Sequence, residues 1–137
     1  MKILVGYTTS PEGRAALRRA VAEAKLRDGE LVVLHYERVA PPVGDVTERY
    51  RAVEDALQEI KRDLAARDVR VSIRSSIGVS SAGSETIRVA EEEDVDLIVL
   101  GLRRRSAVGK LVLGSAAQEI LLSASCPVLA VKHDDTP

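Results

Sequence analysis

The sequence predicts an α/β protein in which a doubly wound parallel sheet carries helices on both faces. Five short aliphatic runs alternate along the chain with four segments of helical periodicity, which is typical of successive βαβ units. The run VDLIVLG at 95–101 is continuously aliphatic after Asp96, as in a strand that is buried on both sides. The 137 residues, 45% of them hydrophobic, are enough for a single domain (1–137) with a full core.

The first half of the chain predicts two strands around one helix, followed by a second and longer helix. The strands are KILVGY (2–7) and LVVLHYE (31–37). Between them, Ser10 offers an N-cap oxygen, Pro11 suits the first helical position, and Gly29 marks the helix end. The second helix is indicated by apolar residues that recur every three or four positions: Val46, Tyr50, Val53, Leu57, Ile60 and Leu64.

The second half predicts three strands and two helices. VRVSIRSSI (69–77) alternates apolar and polar residues, so this third strand has one wet face and lies at a sheet edge. A short helix at 85–93 leads to the continuous fourth strand. Ser115 is expected to cap the last helix, and CPVLAV (126–131) is the last strand. Residues 132–137 are expected to form a flexible tail.

Composition excludes several classes of function. A net charge of -1 argues against a nucleic-acid partner, and three Tyr with no Phe or Trp leave few stacking platforms for single strands. A single cysteine, Cys126, excludes an intrachain disulfide, and we read it as a small core residue. His35 and His133 suggest no metal site or catalytic residue. The chain shows no membrane span or signal peptide, so a cytoplasmic protein is expected.

The topology predicts a binding crevice between the first and fourth strands. In open α/β sheets, ligands bind beyond the carboxyl ends of the strands where the strand order reverses. The two segments that leave these strands are GYTTS (6–10) and GLRRRS (101–106). A P-loop fails here, because Arg104 stands where its first glycine belongs and Leu111 where its hydroxyl belongs.

The spacing around this crevice resembles that of the universal stress protein family. Nucleotide-binding members carry G-x2-G-x9-G-[ST] after the fourth strand, and this chain has Gly101, Arg104 and Gly114-Ser115 at those positions. KILVGYTTSPEGRAAL, LVVLHYE, DLIVLG and CPVLAV also resemble family segments in the right order. The resemblance implies an adenine nucleotide alpha hydrolase-like sheet of order 3-2-1-4-5 and a homodimer. The aliphatic edge strand Pro127–Val131 independently favours pairing with a second copy.

The resemblance also implies which residues would surround a nucleotide. The backbone near Tyr36 would lie beside the adenine, and the N–H groups that begin the last helix would hold phosphate oxygens. The full set is Gly6, Tyr7, Thr8, Tyr36, Leu100, Gly101, Arg103, Arg104, Gly114, Ser115, Ala116 and Ala117. Two positions depart from the family pattern: Thr8 replaces an Asp and Arg104 a Gly. One hypothesis is that Arg103, Arg104 or Arg105, with Lys110, binds the phosphates directly.

The same residues also have structural explanations that require no ligand. The three arginines would also suit a solvated loop, Gly114-Ser115 an ordinary helix cap, and EEED (91–94) a solvated helix end.

Three functions remain open on the sequence. The first is a stress-response regulator that binds ATP or another adenine nucleotide, with Mg²⁺, and orders the loops at 40–45, 78–84 and 102–110 so that a protein partner recognises it. The second is a dimeric interaction module that binds no nucleotide. The third is a slow ATPase, although no catalytic residue is identified.

Overall fold

The computed structural model describes residues 1–39, 47–104 and 111–134, and its strands form one sheet. The strands are β1 (Lys2–Gly6), β2 (Glu30–Arg38), β3 (Arg70–Gly78), β4 (Leu97–Arg104), β5 (Leu111–Val112) and β6 (Val128–Asp134). The helices are α1 (Pro11–Arg27), α2 (Thr47–Ala66), α3 (Ala82–Glu92) and α4 (Ser115–Ser123).

The predicted order of five parallel strands is confirmed. The strands lie in the order β3-β2-β1-β4-β6, and each neighbouring pair is parallel. Strand β3, whose alternating pattern predicts one solvent-exposed face, lies at one edge of the sheet. Strands β1 and β4 are neighbours near the centre. The short strand β5 was not predicted; it pairs antiparallel with the end of β4, where Arg103 lies opposite Val112.

Helices cover the sheet on both faces, and each face has its own core. Alternate residues of β1 point to opposite sides, so Ile3 and Val5 pack with α1 and α2 while Leu4 packs with α3 and α4. In α2, Leu57 and Leu64 carry the contact with the sheet, and both are almost fully buried. Burial of each such leucine is worth about 1.5–3 kcal/mol.

Three helix-to-strand turns use aspartate in a left-handed conformation. Asp28, Asp68 and Asp94 follow α1, α2 and α3 with φ values of 50°, 63° and 54°. Asp tolerates this conformation better than most residues with a Cβ. The turn after α1 therefore takes its left-handed residue from Asp28, one position before the predicted stop at Gly29.

Several predicted boundaries are wrong. Strand β4 runs from Leu97 to Arg104 rather than over 95–101, and β6 begins at Val128 rather than at residue 126. Strand β6 continues to Asp134, so Lys132 and His133 belong to the sheet rather than to a tail, and residues 135–137 lie outside the described ranges. Helix α3 begins at Ala82 rather than at residue 85, because Ser81 is its N-cap and accepts a hydrogen bond from the Ser84 N–H at 3.1 Å.

The sequence suggests that the acidic end of α3 is solvated, but the structure shows that it forms ion pairs with two strands. Arg74 of β3 donates to Glu92 and Glu93 at 2.8 Å each, and Lys2 of β1 lies 3.2 Å from Glu93. Arg74, followed by Lys2, holds the pKa of Glu93 below its usual value. These pairs join the end of α3 to two strands. Within the described residues, no helix is long and apolar enough to span a membrane.

Candidate functional site

A cavity of about 610 Å³ opens where the sequence predicts a crevice, beyond the carboxyl ends of β1 and β4. The first turns of α1, α3 and α4 form its other walls. It collects these residues of the predicted set: Gly6, Thr8, Leu100, Gly101, Arg103, Gly114, Ala116 and Ala117. Tyr7, Tyr36 and Ser115 are not among the described residues that line it. Only the backbone of Arg104 is described, at the end of β4, and Arg105 and Lys110 lie outside the described residues, as does the loop at 40–45.

The connection from β1 to α1 folds tightly against the helix. Ser10 is the N-cap, as predicted, and its Oγ accepts from the Gly13 N–H at 3.1 Å. The Thr8 and Ser10 hydroxyls lie 2.8 Å apart and share a hydrogen bond. A Cβ at Gly13 would fall 1.8 Å from Thr8 Oγ1, so the missing side chain of Gly13 is what lets Thr8 lie here.

Two glycines of the predicted site are glycines for different reasons. At Gly101, a Cβ would fall 2.2 Å from the backbone oxygen of Glu12, so this glycine lets α1 approach the sheet. At Gly6, a Cβ would meet nothing within 4 Å in the described part of the chain. Packing within the protein explains Gly101, whereas the space beside Gly6 belongs to the cavity.

The N-terminus of α4 is open toward the cavity. Gly114 is the N-cap residue and makes no side-chain cap bond, so the prediction that Ser115 caps this helix is wrong by one position. A Cβ at Gly114 would meet no atom of the described residues within 4 Å. The first N–H groups of a helix have no acceptor within it and carry the positive end of its dipole. This end of α4 therefore suits an anion.

Glu12 is a cavity residue that the sequence analysis did not identify. It is in the first turn of α1, and its Oε2 is buried without a hydrogen-bond partner among the described residues. Its position in a Ser-Pro-Glu helix start has an ordinary explanation, because acidic residues favour the first turn. Only the tertiary structure shows that its carboxylate oxygen has no partner.

The two tyrosines of the predicted set pack beside the cores. The Tyr36 hydroxyl donates to the backbone oxygen of Ser80 at 2.7 Å, and the ring packs against the core under α3 and α4. Tyr36 thereby holds the connection between β3 and α3. Tyr7 packs on the opposite face of the sheet, and its N–H donates to Leu34 at 2.8 Å.

A second polar cluster lies away from the cavity, between β2 and α2. His35 is buried; its Nδ1 lies 3.1 Å from Glu54 Oε1, and its ring stacks on Tyr50 with centroids 4.7 Å apart. Burial raises the pKa of Glu54, but hydrogen bonds from Ser75 and His35 outweigh it and leave the pKa below its usual value. In the described part of the chain, no group of three or more His, Cys, Asp or Glu is arranged to hold a metal ion.

Comparisons with known proteins agree with this architecture. A universal stress protein of Mycolicibacterium smegmatis is 39% identical over 132 residues, which span 95% of this chain and 96% of that protein. The solved universal stress protein of Archaeoglobus fulgidus superposes with a TM-score of 0.77 at 27% identity, covering 95% of this chain and 97% of that one.

A further structure, the universal stress protein from Archaeoglobus fulgidus in complex with dAMP, shares the fold. Its TM-score is 0.72 at 22% identity, and the match covers 95% of this chain and 96% of that chain. The sequence model of the universal stress protein family matches residues 1–132 of this chain. With nearly the whole chain matched in sequence and in fold, this protein belongs to the universal stress protein family.

Proposed function

We propose that this protein binds an adenine nucleotide in the cavity at the ends of β1 and β4 and acts as a regulator in the stress response. The observation that carries the proposal is the N-terminus of α4, where a Cβ at Gly114 would meet no described atom within 4 Å. The first N–H groups of a helix have no acceptor within the helix itself. The phosphates lie against this turn. The bound nucleotide changes the surface around the cavity mouth, which a protein partner recognises.

The chemistry of the walls supports this ligand class. Arg103 lines the cavity and supplies a guanidinium, which matches phosphate geometry. Ile98, Leu100 and Ile120 give the cavity apolar surface on which a purine ring can pack. The Archaeoglobus fulgidus protein in complex with dAMP has the same fold, which is consistent with an adenine nucleotide as the ligand.

Thermal unfolding with saturating Mg-ATP, ADP, AMP or cyclic AMP tests the proposal, with pyrophosphate as the control for a plain anion. A ligand at about 100 times its Kd stabilises the folded state by about 2.7 kcal/mol, which raises the midpoint by several degrees. We expect a shift with at least one nucleotide and none with pyrophosphate.

A matched pair of variants assigns that shift to the cavity. Gly114→Val fills the open space and is expected to abolish the nucleotide shift. Ala66→Val introduces the same side chain at an exposed position, the last residue of α2 and outside the cavity, and is expected to keep the shift. No shift with any nucleotide at millimolar concentration overturns the proposal.

The second candidate is a dimeric interaction module that binds no nucleotide. It is favoured by apolar surface on α4, where Leu121 is 41% exposed and Leu122 85% exposed. It is also consistent with Gly101, which is explained by the approach of α1 rather than by a ligand. Failure of every nucleotide in the unfolding test favours this function.

Both candidate functions include a homodimer that forms through the strand segment Pro127–Val131. Among the described strands, β6 pairs only with β4, so its other edge is available to a second copy. Ala130 is exposed on this strand. We expect sedimentation to show a dimer at micromolar concentration and Ala130→Glu to give monomers, because two like charges would meet across the interface. A wild-type monomer under these conditions contradicts the dimer.

A further inference from the structure

The solvent-exposed face of α1 concentrates positive charge. The whole chain is nearly neutral, with 20 basic and 21 acidic residues. In α1, by contrast, Glu23 is buried and Glu12 is partly buried, and the next exposed acid along the chain, Asp28, lies beyond the last turn. All five basic residues of the helix are exposed: Arg14, Arg18, Arg19, Lys25 and Arg27.

Little of this charge is neutralised within the described part of the protein. Glu23 lies 3.1 Å from Arg19 and 3.0 Å from Arg27, so one carboxylate is shared between two guanidinium groups. Arg14 donates to the backbone oxygen of Thr9, which carries no charge. Arg18 and Lys25 form no ion pair with any described residue. Most of the positive charge on this face is therefore free to attract an acidic group from outside.

The exposed side chains form one stripe along the helix. Residues three or four positions apart are neighbours on a helix surface, so Arg14, Arg18 and Lys25 follow one side of the exposed face and Arg19 lies on the other side. The exposed residues Ala22 and Leu26 lie between these rows, and Leu26 is 76% exposed. At 1.5 Å per residue the helix is about 25 Å long, which matches one helix or one extended segment of a partner.

The chemistry of this surface favours an acidic polypeptide over an anionic membrane. Four of the five cations are arginines, whose planar guanidinium pairs with a carboxylate through two parallel hydrogen bonds. Glu23 already holds Arg19 and Arg27 in place, so less side-chain freedom is lost on binding. A helix that lies on a membrane buries its apolar face in the lipid, whereas the apolar face of α1 is packed against the sheet.

We propose that this α1 stripe, formed by Arg14, Arg18, Arg19, Ala22, Lys25 and Leu26, is a docking surface for an acidic segment of a partner protein. The segment carries carboxylates every three or four residues beside an apolar side chain. Its carboxylates pair with the basic rows, and its apolar side chain packs on Ala22 and Leu26. None of the stripe residues lines the cavity, so this inference stands independently of nucleotide binding.

Fluorescence anisotropy with a labelled acidic peptide tests the proposal. The probe is a helical peptide of three Leu-Glu-Glu-Leu-Ala-Glu-Ala repeats, and its control has Gln in place of every Glu. We expect the acidic peptide to bind at low ionic strength and the Gln peptide to bind at least about tenfold more weakly. Added NaCl is expected to weaken the binding of the acidic peptide, because salt screens exposed charges.

Matched charge reversals assign the binding to α1. The double variant Arg18→Glu, Lys25→Glu reverses two exposed charges that have no ion-pair partner in the described residues, and it is expected to weaken binding at least about tenfold. The double variant Lys61→Glu, Arg62→Glu makes the same change of charge at exposed positions on α2 and is expected to weaken binding less than about twofold.

A second matched pair tests the apolar contact. Leu26→Ala is expected to weaken binding of the acidic peptide roughly threefold, because part of a leucine side chain is removed from the interface. Leu122→Ala makes the same substitution at an exposed position on α4 and is expected to bind as the wild type. All of these positions are exposed, so thermal unfolding is expected to show that every variant stays folded.

Three outcomes overturn the proposal. The first is that the acidic peptide does not bind at low ionic strength, or binds no better than the Gln peptide. The second is that the reversal on α1 weakens binding no more than the reversal on α2. The third is that the protein sediments with phosphatidylcholine vesicles that contain phosphatidylserine, depends on Arg18 and Lys25 for this, and does not bind the peptide; the surface then serves a membrane. None of these results affects the nucleotide-dependent unfolding shift, so the two proposals fail separately.

Discussion

Two helices, α1 and α3, begin at the same edge of the sheet with the same local devices but on opposite faces. Ser10 and Ser81 are their N-caps, and each accepts a backbone N–H three residues on at 3.1 Å. Each first turn contains a glycine into which another segment packs. A Cβ at Gly13 would meet Thr8, and one at Gly83 would meet Glu119.

The two starts differ in the glutamate that follows. Glu85 of α3 is buried and fully partnered, because Arg88 donates to both of its oxygens and Ser76 donates at 2.6 Å. Glu12 of α1 lines the cavity, and its buried Oε2 has no hydrogen-bond partner among the described residues. The same type of residue near the same type of cap is therefore fully partnered in one helix and has an oxygen without a hydrogen-bond partner among the described residues in the other.

The largest difference is expected when each glycine is replaced by alanine. In Gly13→Ala, the new Cβ would also lie 2.7 Å from the Thr8 backbone oxygen, which cannot rotate away, so we expect a loss of about 2 kcal/mol. In Gly83→Ala, the new Cβ would lie 2.6 Å from a carboxylate oxygen of Glu119, which can rotate at the cost of its hydrogen bonds from Ser81 and Ser84, and 3.0 Å from the Glu119 Cβ, which must shift slightly. Better helix propensity offsets part of this cost, so we expect a smaller loss, about 1 kcal/mol.

Urea unfolding of the two variants measures this difference. Thr8→Ala removes the hydroxyl that the new methyl group meets, so in a double mutant it is expected to recover part of the loss in Gly13→Ala but none in Gly83→Ala. Equal losses in the two single variants would show that the two turns are packed alike.

A smaller difference is expected when each glutamate is replaced by glutamine. Glu85→Gln weakens three hydrogen bonds to a charged acceptor, and we expect about 1.5 kcal/mol, the low end for such bonds because Arg88 is half exposed. Glu12→Gln removes the cost of burying a charged oxygen that has no donor within the described residues, but it also removes a favourable charge from the first turn of α1. Because these two effects oppose each other, stability without ligand is expected to stay within about 0.5 kcal/mol. Chemical denaturation at pH 7 compares them, and a larger loss in Glu12→Gln would contradict the comparison.

The smallest effect is the part of the Glu85 contribution that depends on pH. Arg88, followed by Ser76, outweighs burial and lowers the pKa of Glu85 in the folded protein. The unfolded chain therefore binds a proton more readily, so this stability is present above the ordinary glutamate pKa and is lost as the pH falls through the lowered value. Denaturation between about pH 5 and pH 3 is expected to show a shallower loss in Glu85→Gln than in the wild type. If the free energy of unfolding falls equally steeply with pH in the wild type and in Glu85→Gln, Glu85 makes no contribution to the loss of stability in acid.

The sequence predicts the parts of this structure that depend on local pattern. Continuous aliphatic runs, the polar alternation of β3 and the Ser10-Pro11 helix start are visible without tertiary contacts, and with the topology rules they predict the crevice. What the pattern misses depends on distance across the fold. The sequence pattern assigns Gly101 to a ligand site, whereas the structure shows that α1 packs directly against its Cα. Strand β5 has only two residues, which is too short for a hydrophobic period to be detected.

The pairing of β1 with β4 also determines when the centre of the sheet can form during synthesis. Ile3 lies opposite Leu97, so one edge of the first strand made stays unpaired until the fourth has left the ribosome, which takes roughly 5–20 s at ordinary rates of translation. Strands β2 and β3 close much earlier, because a single helix separates them. Between the synthesis of β1 and that of β4, the nascent chain therefore exposes an aliphatic edge that can pair with other chains, and in this interval a chaperone would protect it most.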